Sequence, residues 1–153
     1  MMECAIRPRS LTSWPGLQLP PHRLSPSLLR AYRMTGYTTA GITIRIGRRS
    51  AEMDRLLLSH RQREAAFVTA FNPFSRPMPP GWNRRMQASL TRAASRRITL
   101  PASGRWRRWS ESHIAVIGSF RWTAVLARKY RQHAIVILRL GQPSRLVYTS
   151  PGI

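Results

Sequence analysis

The stretch HIAVIGSFRWTAVLARKYRQHAIVILRL, residues 113–140, decides the fold class. Apolar runs at 114–117 and 134–138 suit buried strands and are far too short to cross a bilayer. Between them, Ser119 can cap a helix over residues 120–132. Apolar residues recur in this helix every three or four positions and predict one packed face. That face consists of Phe120, Ala124, Ala127 and Tyr130, or of a neighbouring set.

The flanking sequence predicts further elements of both kinds. A turn at 141–144, GQPS, leads to a last strand at 145–149. Upstream, residues 82–96 give the clearest helical period in the chain. Its apolar side consists of Met86, Leu90, Ala93 and Ala94. RITLP at 97–101 is predicted as a short strand, and GRWRRWSES at 104–112 as a basic, aromatic loop.

The first half of the chain shows the same mixture of patterns. AAFVTAF at 65–71 predicts a strand, and the proline-rich NPFSRPMPPG at 72–81 predicts a loop with a well-defined path. TTAGITIRIG at 38–47 alternates with a period of two and predicts one half-buried strand. SAEMDRLLLSH at 50–60 and SLLRAYRM at 27–34 predict short helices, the first packed through its three consecutive leucines.

These elements predict an α+β fold in one domain over residues 25–150. We expect a mixed, largely antiparallel sheet of five to six strands with two or three helices packed on it. Residues 1–24 are rich in proline and predict a disordered basic tail, which a misassigned start codon would also produce. The start has no apolar signal segment and Cys4 is the only cysteine, so the expected location is the cytoplasm.

The charge of the chain is its strongest compositional feature. There are 26 basic residues and 5 acidic ones, which gives a net charge of +21, and Lys129 is the only lysine. A charge of this size attracts polyanions such as nucleic acid or an anionic membrane surface. An arginine-only excess is also typical of proteins from GC-rich genomes, so the charge alone does not decide between a functional surface and genome composition.

Several stretches together resemble a known family. They are TAFNPFS at 69–75, Asn83, WSE at 109–111 and QHAIVIL at 132–138, with LRAYRMTGY at 29–37 and IRIG at 44–47 upstream. In this order and spacing they resemble the bacterial family called domain of unknown function 3293 (DUF3293), over roughly residues 28–148. The contexts GWNRR and GRWRRW depart from the family, which usually has acidic or mixed charges there. The resemblance implies a domain but no reaction.

A first candidate site lies where the strand at 65–71 passes through the loop into the next helix. Its residues are Thr69, Asn72, Ser75 and Asn83, with Glu111 as a fifth candidate for ligand binding. Backbone N–H groups and amide side chains at such a junction can converge on a small phosphate or carboxylate. Alternatively, Asn72 forms a local turn before Pro73 and Asn83 satisfies backbone groups of the loop.

Glu111 has two possible roles. It is the only carboxylate after Glu64 and lies among arginines, which predicts an ion pair with one of them. A catalytic role needs a raised pKa, whereas nearby guanidinium groups lower the pKa of a carboxyl. His113 and His133 have no partner at metal-ligand spacing, and no nucleotide-loop or serine-hydrolase motif occurs, so we predict neither a metal nor a cofactor.

A second candidate site is basic and aromatic. Its residues are Arg84, Arg85, Arg105, Trp106, Arg107 and Arg108. Arginine neutralises phosphates and indole rings stack on unpaired bases, so this set predicts contact with nucleic acid. Membrane contact, or tryptophans packed on the core, are the alternatives. The functional prediction is binding of an anionic partner, nucleic acid or a phosphorylated ligand. A small-molecule or enzymatic site at Asn72 and Asn83, and a structural or protein-interaction domain without a ligand, remain open.

Overall fold

The structure, a computed structural model, describes residues 24–149. The helices are α1 (Pro26–Met34), α2 (Ala51–Ser59), α3 (Pro80–Ala93) and α4 (Phe120–Lys129), and a short 3₁₀ turn spans Pro73–Ser75. The strands are β1 (Gly36–Thr39), β2 (Ile42–Ile44), β3 (Glu64–Val68), β4 (Ile98–Trp106), β5 (Trp109–Ile117), β6 (Ala134–Arg139) and β7 (Arg145–Tyr148). The predicted tail lies almost entirely in residues 1–23, outside the described residues.

The strands form one sheet in the order β2-β1-β4-β5-β3-β6-β7, and every neighbouring pair is antiparallel. The predicted α+β class with an antiparallel sheet is therefore confirmed. The described range contains seven strands and four α-helices, so the predicted numbers of five to six strands and two or three helices were slightly too low. No helix in that range is long and apolar enough to span a bilayer.

The predicted strand at 38–47 is in fact a hairpin. Ala40 and Gly41 turn the chain with φ angles of 50° and 75°, and β1 and β2 then pair with Thr38 opposite Thr43. An Ala-Gly dipeptide is a weaker turn signal than Asn-Gly or Asp-Gly, because alanine rarely adopts a positive φ. The alternation on either side of the turn consequently suggested one continuous strand.

The predicted loop at 104–112 is also wrong, because β4 and β5 form one long hairpin that turns at Arg107 and Arg108. Pro101 suggested the end of a strand, since a proline removes a hydrogen bond from a sheet. The last residue pair between β1 and β4 is Thr39 with Ala102, so Pro101 lies one residue past the end of this pairing. The carbonyl of Pro101 is used instead, and it accepts a hydrogen bond from the Thr39 hydroxyl at 2.9 Å.

Helices cover both faces of the sheet. On one face, α3 and α4 pack on alternate residues of the central strands, and the predicted packed residues of α4 are all buried. On the other face, α2 buries Met53 and Leu57 against β2, β3 and β6. Leu58, which the sequence placed in the packed set, is 57% exposed because it points away from the sheet. α1 also lies on this second face but has no buried residue.

Gly104 allows a close approach inside the sheet. A Cβ atom at this position would lie 2.8 Å from Cε1 and 3.3 Å from Nδ1 of His113. Gly104 is buried in β4, and the ring of His113 is packed edge-on against Tyr37. The absence of a side chain at Gly104 therefore leaves the space that the imidazole of His113 occupies.

We expect Gly104→Ala to destabilise the fold by about 1–3 kcal/mol, because a contact this close forces the imidazole or the strand to move. Chemical denaturation measures the change in the free energy of unfolding. Gly81→Ala is the matched control, since a Cβ atom there meets only ordinary contacts at 3.7 Å. Equal stability of the two variants would contradict the close approach of Gly104 and His113.

Candidate functional site

A cavity of about 450 Å³ lies between α1 and the sheet. It is located where β3 ends and β6 begins, which is also the end of the sheet that carries the turn between β4 and β5. The lining residues are Leu28, Ala31, Tyr32, Thr35, Tyr37, Phe67, Thr69, Phe71, Asn72, Ser75, Pro77, Trp106, Trp109, Glu111, His113, Gln132, Ala134, Ile135 and Val136. Most of this surface is apolar or aromatic, and no lysine or arginine between residues 24 and 149 lines it.

Four stretches that carry the family resemblance meet at this cavity. Residues 29–37 contribute from α1 and β1, residues 69–75 from the loop after β3, residues 109–111 from β5, and residues 132–138 from β6. These stretches are far apart in the sequence, and the strand order of the sheet brings them to one end. The resemblance therefore identifies one place in the fold rather than scattered positions.

Asn72 and Asn83 hold the loop that forms one wall. Asn72 turns the chain with a φ of 46°, a left-handed conformation that asparagine tolerates better than most residues. Its Oδ1 accepts hydrogen bonds from the backbone N–H of Met78 and from Nδ2 of Asn83, both at 2.9 Å. The backbone N–H of Asn72 donates to Oδ1 of Asn83 at 3.0 Å. These bonds satisfy loop groups that water reaches poorly.

The chain at the start of β6 holds the same loop from the other side. Gln132, which is 6% exposed, donates through Nε2 to the carbonyl of Phe71 at 3.1 Å. The backbone N–H of Phe74 donates to the carbonyl of Arg131 at 2.7 Å, and its ring contacts that of His133. Phe74 and Ser75 also have positive φ angles, of 51° and 59°. The surrounding hydrogen bonds therefore hold three of the four residues 72–75 in a left-handed conformation.

Glu111 is the carboxyl group of the cavity. It is 9% exposed, and its Oε1 accepts a hydrogen bond from Nδ2 of Asn72 at 2.9 Å. Burial raises the pKa of Glu111 from 4.5 to about 7, and the bond from Asn72 opposes this only in part. The predicted ion pair with an arginine is absent from the described part of the chain. Within residues 24–149 the ion pairs are Arg49–Asp54 and Arg139–Glu64.

His113 lies two residues further along β5, on the same side of the strand. Its Nδ1 lies 3.2 Å from the backbone carbonyl oxygen of Glu111. Because a carbonyl oxygen can only accept, Nδ1 carries the proton and donates the hydrogen bond. Burial lowers the pKa of His113 to about 4, and the imidazole is therefore neutral at pH 7. Burial also raises the pKa of Tyr32 and Tyr37 above the ordinary value for tyrosine. Glu111 is consequently the group in the cavity that changes charge near neutral pH.

The cavity has hydrogen-bond acceptors without partners. Within residues 24–149, no hydrogen bond reaches Oε2 of Glu111, Oε1 of Gln132 or Nε2 of His113. All three side chains are at least nine-tenths buried and line the cavity. These three atoms can therefore accept hydrogen bonds from N–H groups of a ligand. The carboxyl of Glu111 can also take up or release a proton near neutral pH.

The predicted ligand-binding residues fall into two groups. Thr69, Asn72, Ser75 and Glu111 line the cavity. Asn83 does not, because it is 6% exposed and its amide is fully engaged by Asn72 and by the carbonyl of Met78. The structural alternative for Asn83 is thus the one observed, and Asn72 combines a loop contact with a contact to Glu111.

The predicted nucleic-acid residues also separate. Trp106 lines the cavity, and Arg105, Arg107 and Arg108 are exposed around the turn beside it. Arg84 and Arg85 are exposed in the first turns of α3 and are not lining residues. The buried side of α3 packs on the opposite face of the sheet, whereas Arg107 of the hairpin contacts the ring of the lining residue Trp106.

Tyr32, Tyr37, His113 and Gln132 were not singled out from the sequence as site residues, although all four line the cavity. A usable signal was the spacing of two in WSESH, which places Trp109, Glu111 and His113 on one side of a strand. The prediction of a loop at 104–112 concealed it.

Residues 68–135 match the model of a family described as Protein of unknown function (DUF3293). This confirms the resemblance predicted from the sequence, over a shorter range that runs from the end of β3 into β6. No curated protein and no solved structure matches the chain.

We expect Glu111→Gln to gain stability relative to the wild type as the pH rises from about 4.5 to about 7.5, by on the order of 2 kcal/mol. The raised pKa means that the folded chain binds this proton more tightly than the unfolded chain. The stabilising contribution of Glu111 is therefore present at low pH and lost as the pH rises through about 7. Urea denaturation across this pH range measures the change.

The neighbouring titratable groups determine how this measurement is interpreted. Tyr32, Tyr37 and His113 face Glu111 and are uncharged near pH 7. The lowered pKa of His113 has the opposite sign, because its contribution is lost as the pH falls from 6.5 towards 4. The wild-type profile is therefore flatter than that of the variant. Glu52→Gln, at an exposed position of α2, is the control, and a pH-independent difference for Glu111→Gln would contradict the raised pKa.

Proposed function

We propose that the chain binds a small organic compound between α1 and the sheet. The family whose model residues 68–135 match has no known function, so the proposal rests on the cavity itself. One observation carries this proposal. The separate stretches that resemble the family supply the walls of a single cavity of about 450 Å³ with a buried carboxyl.

The dimensions and lining of the cavity support a ligand with a flat ring. Small-molecule sites usually measure about 300–1,000 Å³ and combine apolar walls with a few placed polar groups. Here the walls include two tryptophans, two tyrosines and two phenylalanines, and the polar groups are mainly those of Glu111, Gln132 and His113. Aromatic side chains favour stacked or edge-on contacts with another ring.

The charge inside the cavity favours this function over capture of a small phosphate or carboxylate. No lysine or arginine of the described residues lines the cavity, and the available side-chain atoms of Glu111 and Gln132 are acceptors. An anion placed beside them would face a carboxyl and carbonyl oxygens rather than N–H groups. The interior therefore suits an uncharged ring that donates hydrogen bonds.

We expect Ala31→Trp, which fills the cavity from α1, to weaken binding of ring compounds at least about tenfold while the chain stays folded. The probes are indole, benzamide and 2-aminopyridine, followed through the indole N–H signals of Trp106 and Trp109 in NMR spectra. Ala93→Trp serves as the control, because Ala93 is exposed, although the sequence placed it on the apolar side of α3. Absence of binding by all probes would favour a structural or protein-interaction role instead.

A second candidate is binding of an anionic partner at the hairpin. Arg105, Arg107 and Arg108 are exposed, and within residues 24–149 none has a carboxylate partner. The guanidinium group of Arg107 lies 4.7 Å from the ring centroid of Trp106. Exposed arginines beside tryptophans support contact with the phosphates and bases of a single strand.

For a single-stranded oligonucleotide, we expect Arg107→Gln/Arg108→Gln to reduce the slope of log K against log salt by about 1.4, because each lost phosphate contact removes about 0.7. Fluorescence anisotropy at several salt concentrations measures this slope. Arg92→Gln/Arg96→Gln removes the same charge from exposed positions at and just after the end of α3. The same reduction in both variants would show that the hairpin has no special part in binding.

A further inference from the structure

We propose that the cavity and the arginines of the β4–β5 hairpin form one site, which binds a nucleobase that carries a phosphate. This inference rests on the proposed small-molecule function and names the class of ligand. It combines two features that are adjacent in the structure. One is an aromatic cavity with acceptor atoms inside, and the other is a group of exposed arginines in the hairpin that carries Trp106 and Trp109.

The interior matches the ring of a nucleobase in shape and polarity. Nucleobases are flat and uncharged, and they stack on tryptophan and tyrosine rings regardless of their sequence. Trp106 and Trp109 come from paired positions at the end of the hairpin, and Tyr32 comes from α1, so aromatic groups reach the cavity from both of its walls. A ring placed between α1 and the sheet contacts both.

The available acceptors favour a base with an amino group. Oε1 of Glu111 already accepts from Asn72, so Oε2 is the atom left for a ligand. A glutamate oxygen accepts well from the exocyclic amino group of a base such as cytosine. Gln132 and His113 add two more acceptor atoms without partners in the described part of the chain. Adenine, cytosine and guanine have amino groups, whereas uracil does not.

The hairpin places positive charge where a phosphate would emerge. Arg105, Arg107 and Arg108 are within two residues of Trp106, and all three are exposed. Arg107 is held over the ring of Trp106, which keeps its guanidinium group near the lining of the cavity. Guanidinium groups bind phosphate through two parallel hydrogen bonds. The acceptor-rich interior thus suits the uncharged base of a nucleotide, and the cationic hairpin suits its anionic phosphate.

The test measures binding of the full chain to ribonucleoside 5′-monophosphates, the corresponding nucleosides and inorganic phosphate by isothermal titration calorimetry. We expect the monophosphates of adenosine, cytidine and guanosine to bind about tenfold or more tightly than their nucleosides and than the monophosphate of uridine. Inorganic phosphate should bind most weakly. Equal affinities for cytidine and uridine monophosphates would overturn the role given to Glu111, whether or not any variant folds.

Two variants separate the parts of the site. In Glu111→Gln, the oxygen can still accept from Asn72 while the amide N–H₂ replaces Oε2, so the preference should change towards uridine. Arg107→Gln/Arg108→Gln should lower the affinity for monophosphates about tenfold and so remove their advantage over the nucleosides. Arg92→Gln/Arg96→Gln is the control that removes equal charge. If it loses the preference for monophosphates to the same extent, the role of the hairpin in phosphate binding is overturned.

The remaining outcomes distinguish this inference from the function on which it rests. If indole or benzamide binds but no nucleoside or nucleotide does, the inference of a nucleotide ligand is overturned. The proposed small-molecule function is then still supported. Failure of every ring compound would end both. A single-stranded oligonucleotide that binds more than about tenfold tighter than the monophosphate identifies the source as a nucleic-acid strand. Equal affinities identify a free nucleotide.

Discussion

The hydrogen bonds between Asn72 and Asn83 are the constraint on which the cavity depends. The backbone N–H groups of Asn72 and Met78 lie in a loop where water is scarce, and each receives an amide oxygen as its acceptor. The same Asn72 side chain turns its N–H₂ group to Glu111. A loop held in this way places a carboxyl against the sheet in one position, and Gln132 holds the preceding residue, Phe71, from β6. The wall is therefore rigid before any ligand arrives.

The separation of charge is the second feature of the molecule. The chain has 26 basic residues, yet none of those within residues 24–149 lines the cavity. Glu111 consequently has an amide rather than a guanidinium group as its neighbour, and burial determines its pKa. The same arginines that suggested an ion pair in the sequence are exposed at the turn of the hairpin. A strand that alternates its side chains between two faces makes this possible within a few residues.

The local parts of this structure could be predicted from the sequence, and the cavity could not. The period of α4 and the apolar runs of β5 and β6 indicated the correct elements, because their pattern is set by contacts with the nearby sheet. The hairpin of β4 and β5 was missed, since Pro101 and the arginines hide its alternation. The meeting of Tyr32, Glu111 and Gln132 depends on strand order, which no local pattern contains. The family resemblance indicated these segments without indicating that they touch.

The position of α1 has a consequence for the energetics of the chain. The helix has no buried residue, although Leu28, Ala31 and Tyr32 face the cavity. Near its end it is attached by the Arg45 guanidinium group, which donates to the carbonyl of Met34 at 2.6 Å. A ligand in the cavity would bury these apolar side chains, which are otherwise in contact with water. Occupancy and helix docking are then thermodynamically linked, so changes that loosen α1 would weaken affinity without touching the ligand.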